Sequence, residues 1–377
     1  MNKKLITAAI AAVIAAPTAA LANDVTVYGV AHLSVDWLDS QNPGIDGFDV
    51  ASRASRLGFM GTEDLANGLK AIWKMEFQVD MADYGQNCAV DTVPQVQALL
   101  GSPTVCQGNF RGDKQSTDLI TARNAYVGLA GGWGTFLVGR HDTPYKLSTA
   151  KLDLFADELG DYNSTLYITD IRTSSAIAYV SPNWSGFSFA AATVAPHVYF
   201  NNGTTLITSD DSDSDDLAGA YSISANFNMA GFFASAAYEV LTDEWLNAWA
   251  RTAAGTLDED SKWRFGLGWT GAGFTIGGVY EMQDSVLGTP IDKDAWQVSA
   301  GYTFGNNMIK AMYGQADFDG RLDLGFGDTD AWAVGFDHNL SKRTKVYIQY
   351  VDKNVDDPIG VVSTDVSGAS IGMVHKF

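Results

Sequence analysis

The chain has 377 residues, of which 46% are hydrophobic and 12% aromatic, and this composition excludes an intrinsically disordered protein. Its formal net charge of −20 argues against nucleic acid as a partner, because nucleic-acid binding relies on Lys and Arg contacts with phosphates. Charged residues make up only 18%, fewer than the roughly 25% of soluble domains, so the chain is apolar without resembling a helical membrane protein.

Residues 1–22 predict a secretory signal peptide. Lys3 and Lys4 form its basic start, residues 5–16 its apolar stretch, and Ala20-Leu21-Ala22 its cleavage site. A retained helical anchor fits less well, because the apolar run is short and Pro17 interrupts it. We therefore expect residues 23–377 to form the mature domain.

Apolar and polar residues then alternate along several segments. Residues 69–80 place Leu, Ala, Trp, Met, Phe and Val on one face, and the same period of two recurs in 221–228, 263–269 and 296–304. The polar faces are rich in Ser, Thr, Gly, Asn and Gln, whereas a soluble sandwich carries Lys and Glu there. With aromatic residues near the strand ends, this pattern is typical of a transmembrane barrel.

The connections alternate in length. Short turns near residues 63–67, 130–132, 182–183, 229–231, 271–273, 305–307 and 341–343 separate eight long polar segments. Fifteen connections join sixteen strands, and the first strand (25–37) can pair with the last (369–377) to leave no edge. The sequence predicts an all-β fold, a 16-stranded antiparallel transmembrane barrel with short periplasmic turns and long extracellular loops.

Several segments resemble the trimeric general-diffusion porins of Gram-negative bacteria. They are DVTVYG (24–29), SRLGFMGTEDL (55–65), GRHDTPY (139–145), IAYVSP (177–182) and the terminal HKF (375–377). The resemblance implies a homotrimer in the outer membrane, surrounded by lipid and lipopolysaccharide, that conducts ions and small hydrophilic solutes without a cofactor. It also implies that the third loop folds into the barrel, and that the barrel-assembly machinery reads the terminal Phe377.

Two sets of charged residues are candidates for the pore constriction. Alternation places Arg56, Lys74 and Arg172 toward the lumen, where a charge avoids the cost of facing lipid. In the porins an acidic third loop faces a basic ladder, which implies the acidic residues Asp153, Asp157, Glu158 and Asp161 and the basic residues Arg56, Lys74, Arg123, Arg140 and Arg172. Strict alternation turns Arg123 and Arg140 outward, so they qualify only beyond the lipid band.

The net charge favours a weak to moderate preference for cations. Leu137 stands where many relatives have a basic residue, and four carboxylates belong to the constricting loop. Acidic residues in the loops at the pore mouth raise the local cation concentration within a Debye length of about 8 Å. The lumenal bases act in the opposite direction.

Two loops carry further candidate sites. Cys88 and Cys106 both fall in the second long loop, in a compartment that permits oxidation, which predicts a disulfide. Asp210, Asp211, Asp213, Asp215 and Asp216 could bind Ca²⁺, but they lack the Gly and the distant Glu of an EF-hand, so a solvated acidic loop explains them better.

Three functions remain open at this point. A passive diffusion pore is favoured over a substrate-specific channel, because the polar faces carry few inward aromatic residues apart from Phe233 and Tyr347. A barrel that acts mainly as an adhesin or structural surface protein is the third. The five histidines are scattered, and no spacing among them predicts a catalytic triad.

Overall fold

The computed structural model describes residues 25–40, 47–82, 119–195, 200–201, 205–206, 219–243, 245–246, 257–320, 327–356 and 365–377. These residues form a closed antiparallel barrel of sixteen strands, which confirms the fold predicted from the sequence. The predicted signal peptide lies outside the described residues. In these ranges we find no helix with the length and apolar character needed to span a membrane.

The strand segments follow one another around the ring, with two exceptions. β2 and β3 both pair with β1 and together make one strand of the ring, broken near Arg53. β9 and β10 form a separate hairpin in the fourth long loop. The segments are β1 Thr26–Ser40, β2 Gly47–Ser52, β3 Arg56–Ala66, β4 Leu69–Val79, β5 Ile120–Gly131, β6 Gly134–Asp142, β7 Arg172–Val180, β8 Phe187–Val194, β9 Phe200–Asn201, β10 Thr205–Leu206, β11 Ala220–Met229, β12 Phe232–Leu241, β13 Asp260–Gly271, β14 Phe274–Asp284, β15 Ile291–Phe304, β16 Asn307–Gly320, β17 Thr329–Asn339, β18 Thr344–Val355 and β19 Val366–Lys376.

The first and last strands close the ring. β1 pairs with β19 from Val30 opposite Lys376 to Ser40 opposite Val366. Beyond the strand end, Gly29 and Phe377 exchange two backbone hydrogen bonds of 3.0 Å. The Phe377 ring lies directly over Gly29, where a Cβ would come within 2.2 Å of it. Closure satisfies the backbone groups that an open edge would expose to lipid.

The short turns follow from residues that accept a left-handed backbone. Ala230 and Gly231 join β11 to β12 with φ of 52° and 84°, and Ala272 and Gly273 join β13 to β14 with φ of 51° and 85°. Positive φ at both central residues is typical of a type I′ hairpin, whose twist matches the twist of the flanking strands. These turns fix the register that directs apolar side chains outward.

The third loop, residues 143–171, connects β6 to β7 and lies inside the barrel. It contains two short helices, α1 at Pro144–Thr149 and α2 at Tyr162–Thr165. Thr143 and Asp161 cap them by accepting hydrogen bonds from the backbone N–H groups of Lys146 and Asn163. The inward path that the resemblance implies is therefore the path of this loop in the structure.

Candidate functional site

The third loop is held against one wall of the barrel by apolar side chains. Phe155, Leu159, Leu166 and Ile168 are each fully buried, and they belong to a cluster with lumenal residues of β12 to β19 and with Leu38 of β1. Each such side chain is worth about 1.5–3 kcal/mol when removed from water. The loop is consequently a packed layer rather than a strand connection exposed to the lumen.

The wall that receives the loop is flat because its lumenal positions carry small residues. A Cβ added at Gly268, Gly277 or Gly314 would meet Leu152 or Leu166 at 2.4–3.2 Å. We call this surface the platform, and it comprises the lumenal residues Gly268, Gly277, Ala295, Gly314, Ala316, Ala331, Ala333, Gly335 and Gly368. The absence of bulky side chains there lets the loop backbone approach the sheet.

Buried ion pairs fix the two ends of the loop to the same wall. Arg264, with no exposed surface, binds Asp170 of the loop at 2.7 Å and also pairs with Glu281. Glu281 accepts a hydrogen bond from the loop hydroxyl of Tyr145 at 2.8 Å. Lys293 bridges Glu281 at 2.8 Å and the carbonyl of Tyr167 at 2.6 Å. Charges this deeply buried are tolerated because each meets opposite charge and further hydrogen bonds.

The middle of the loop has its own anchor at Glu158. This carboxylate lies 2.7 Å from Lys310 of β16 and 2.7 Å from Lys345 of β18. Lys310 also donates to the carbonyl of Leu154 at 2.8 Å. Glu158 is only 3% exposed, so its charge interacts with the two lysines of the wall and not with ions in the lumen.

Two further loop acids hold the backbone of the loop. Asp153 accepts from the N–H groups of Phe155 at 2.8 Å and Tyr162 at 3.3 Å. Asp161 accepts from the N–H of Asp157 at 2.7 Å. Burial raises the pKa of Asp161 to about 6, and burial together with the nearby Asp161 charge raises the pKa of Asp153 well above its usual value. Both carboxyls therefore have structural contacts inside the loop.

Asp157 is the loop carboxylate with the largest exposed surface among these four. Its side chain is 49% exposed and lies 3.7 Å from the Arg56 guanidinium of β3. The backbone of Asp157 has φ of 62°, a left-handed conformation that turns the residue away from its buried neighbour Glu158. Arg56 and Asp157 thus form a partly exposed ion pair beside the space left by the loop.

The predicted basic residues follow one another on β3 to β7, and we call them the basic row. Lys74 lies 3.2 Å and Arg123 2.9 Å from the buried Glu76 of β4. Arg172 lies 2.9 Å from the buried Asp142. The row comprises Arg56, Lys74, Arg123, Arg140 and Arg172. Two carboxylates, Glu76 and Asp142, lie among these basic residues and are absent from the sequence predictions.

The outward orientation that strict alternation predicts for Arg123 is wrong. Between Met75 and Phe77 the register of β4 and β5 shifts, so that Glu76 alone stands opposite both Arg123 and Asn124. Such a β-bulge places two successive side chains on one face, and Arg123 binds the lumenal Glu76. Arg140 adjoins a second shift, between β6 and β7, and donates to Ser174 Oγ at 2.8 Å.

Two ion pairs within the wall that holds the loop could be predicted from the strand pattern. Glu239 stands directly opposite Lys262, and Arg264 directly opposite Glu281, in the register of β12 to β14. All four lie on the polar faces of alternating strands, and opposite charges at directly facing positions stabilise a sheet. The contacts of Lys310 and Lys345 with Glu158 have no such signal, because 152 and 187 residues separate the partners.

Several predicted sites cannot be compared with the structure. Cys88 and Cys106, and Asp210, Asp211, Asp213, Asp215 and Asp216, lie outside the described residues. Where side chains are described, no group of three or more His, Cys, Asp or Glu could hold a metal ion. The two inward aromatic residues both contact other side chains. Lys151 Nζ lies 3.4 Å from the Phe233 ring centroid, and the Tyr347 hydroxyl lies 2.9 Å from His32 Nε2.

Comparisons with known proteins agree on one family. The family model described as Gram-negative porin matches residues 7–358. The major outer membrane protein P.IB of Neisseria gonorrhoeae is 25% identical over the whole of both chains. The anion-selective porin from Comamonas acidovorans shares the fold with a TM-score of 0.64 at 19% identity, covering 94% of this chain and 99% of that chain. The trimer form of OmpT of Vibrio cholerae gives a TM-score of 0.61 at 16% identity, covering 94% and 100%.

Proposed function

Because this chain belongs to the Gram-negative porin family, we propose that solutes cross its outer-membrane diffusion channel between the basic row and Asp157 of the third loop. The channel conducts ions and small hydrophilic solutes by passive diffusion. The observation that supports the position of the constriction is the ion pair between Arg56 of the row and Asp157 of the loop, 3.7 Å apart, with both side chains partly exposed.

Anions are preferred at this constriction. Three of the four loop acids bind the protein itself: Glu158 pairs with Lys310 and Lys345, and Asp153 and Asp161 accept backbone hydrogen bonds. The basic row contributes five positive charges against the three carboxylates Glu76, Asp142 and Asp157. This sign reverses the cation preference expected from net charge, because the charges nearest to the ion are screened least. A porin of the same fold is described as anion-selective.

The mature protein, residues 23–377, assembles as a homotrimer after removal of residues 1–22. Trimeric OmpT, which has the same fold, supports this assembly. Outer-membrane lipid and lipopolysaccharide surround the trimer, and the barrel-assembly machinery recognises Phe377, whose side chain is 54% exposed at the end of β19. No catalytic step is assigned to the barrel.

The reversal potential in a tenfold KCl gradient across a planar bilayer tests the position of the constriction and its preference. We expect stepwise ohmic currents and a reversal potential of the sign given by chloride. Arg56→Gln should lower the ratio of chloride to potassium permeability about twofold, and Asp157→Asn should raise it about twofold. A unit charge about 8 Å from the ion is worth roughly 0.5 kcal/mol at the dielectric constant of water, and screening over one Debye length lowers this to about 0.2 kcal/mol. The value has opposite signs for chloride and potassium, so the ratio changes by about 0.4 kcal/mol.

Lys70→Gln is the matched control. Lys70 is equally basic, but it lies at the start of β4, half exposed and paired with the exposed Asp64. We expect this variant to keep the wild-type permeability ratio. A reversal potential of the cation sign would contradict the preference. The absence of stepwise current would favour the adhesin or structural alternative, and saturation by a single solute class would favour a substrate-specific channel.

A further inference from the structure

A cavity of about 260 Å³ lies beneath the tip of the third loop, at the end of the barrel where the short turns are. Ala156, Asp157 and Glu158 form its roof, and residues of β1, β3, β18 and β19 form its sides. We call it the basin. Its cationic lining residues are Arg56, Lys342, Arg343, Lys345 and Lys376.

The positive charge of the basin is poorly neutralised. Glu158 binds Lys310 and Lys345, and Asp157 faces Arg56. Lys342, Arg343 and Lys376 have no carboxylate within 4.0 Å in the part of the chain that the structure describes. Three unpaired cations therefore share one cavity in a chain of net charge −20.

The backbone under these cations is fixed. Lys342 and Arg343 lie in the turn between β17 and β18, where Ser341 Oγ accepts from the N–H groups of Arg343 at 3.1 Å and Thr344 at 3.0 Å. The N–H of Lys376 donates to the carbonyl of Arg343 at 2.8 Å, which ties the end of β19 to this turn. A site whose backbone is already ordered loses less entropy when it binds a ligand.

We propose that the basin binds small multivalent anions that carry phosphate or carboxylate groups, on the periplasmic side of the constriction. The short turns face the periplasm in the outer-membrane pattern. A multivalent anion can contact several of the cations at once, whereas chloride meets them one at a time. The volume lies just below that of typical ligand cavities, roughly 300–1,000 Å³, and so suits a small solute. The placement relative to the constriction rests on the proposed function.

Calorimetric titration of the purified, folded barrel with inorganic tripolyphosphate at low salt tests the site. We expect saturable binding that weakens as salt rises, because screening acts on exposed charges. The triple variant Lys342→Gln/Arg343→Gln/Lys376→Gln should weaken binding at least tenfold, and each single variant about threefold, so that the result does not depend on folding of the triple variant. Lys70→Gln, at another turn on the same side, should bind like the wild type.

No binding to the wild type, or equal binding to the wild type and the single variants, would overturn the proposal. Reversal potentials separate this outcome from failure of the proposed function. If the currents have the cation sign but tripolyphosphate binds and the variants lose it, the proposed preference fails and the basin stands. If the currents have the anion sign and no binding occurs, the basin fails alone.

Discussion

Asp157 and Glu158 are neighbours in sequence with opposite environments. Asp157 is about half exposed beside Arg56, whereas Glu158 is 3% exposed between Lys310 and Lys345. The Asp157 carboxylate therefore acts on ions in the lumen. The Glu158 carboxylate stabilises the loop, because removal of one member of a buried ion pair leaves an uncompensated charge.

We therefore expect Glu158→Gln to loosen the third loop. Loss of the pairs should cost about 2 kcal/mol, less than the roughly 3–5 kcal/mol of a fully buried pair, because Lys310 keeps Asp337 and Lys345 is partly exposed. Hydrogen exchange of the amides of residues 153–162 should then accelerate roughly thirtyfold, since 1.36 kcal/mol corresponds to a factor of ten. Asp157→Asn is the control and should leave the exchange unchanged. Equal acceleration in both variants would mean that Glu158 is not an anchor.

For single residues, the lumenal positions that follow strict alternation could be predicted from the sequence. It placed Arg56, Lys74 and Arg172 inward, and their partners in the structure are Asp157, Glu76 and Asp142. Arg123 could not be placed, because a bulge shifts the period by one residue and nothing in the local composition marks it. The ion pairs between the third loop and the barrel wall depend on the path of the loop. The alternation of polar and apolar residues does not determine this path.

At the scale of elements, the third loop and the platform are complementary surfaces. The loop presents Leu152, Phe155, Leu159 and Leu166, and the facing strands present Gly and Ala. The sequence revealed polar faces rich in small residues, and the resemblance implied an inward loop. Which wall receives the loop could not be predicted, because the small residues of the platform lie on six different strands and form one surface only when the ring closes.

Gly277→Val tests this packing. The added side chain would meet Leu152, whose atoms come within 3.2–3.4 Å of a Cβ at this position, and would push the loop toward the open side of the lumen. Overpacking of this kind costs about 1–3 kcal/mol. We expect a smaller single-channel conductance with the barrel still folded.

The control is the next residue on the same strand. A Cβ at Gly278 meets nothing closer than 3.6 Å, and alternation turns this residue outward. Gly278→Val should keep the wild-type conductance. If the two variants conduct alike, contact with the platform does not set the position of the loop.

At the scale of the whole molecule, the outer surface has two kinds of wall. Six successive strands, β13 to β18, each carry an outward Trp or Tyr, and neighbouring rings touch, as Trp296 and Tyr313 do at 5.5 Å between centroids. Aromatic belts of this kind lie at the membrane interface. On β3 to β5 the exposed outward residues include Met75, Ile120, Val127 and Leu129, and Trp73 of β4 is the only outward Trp or Tyr among the described residues of these strands. This second wall is apolar but carries fewer interfacial anchors, which suits burial against another barrel.

The homotrimer is accordingly expected to form through the β3 to β5 wall. Val127 is 62% exposed in the single chain, and a lysine there should prevent trimer formation, because a lipid-facing lysine can extend its ammonium to the headgroups, whereas a lysine buried between two barrels cannot. Val298→Lys is the matched control on β15, where Val298 is 51% exposed on the aromatic wall. Light scattering in mild detergent and unheated gel electrophoresis should show trimers for the wild type and Val298→Lys, and monomers for Val127→Lys. A monomeric wild type would refute the trimer, and equal behaviour of the two variants would place its interface elsewhere.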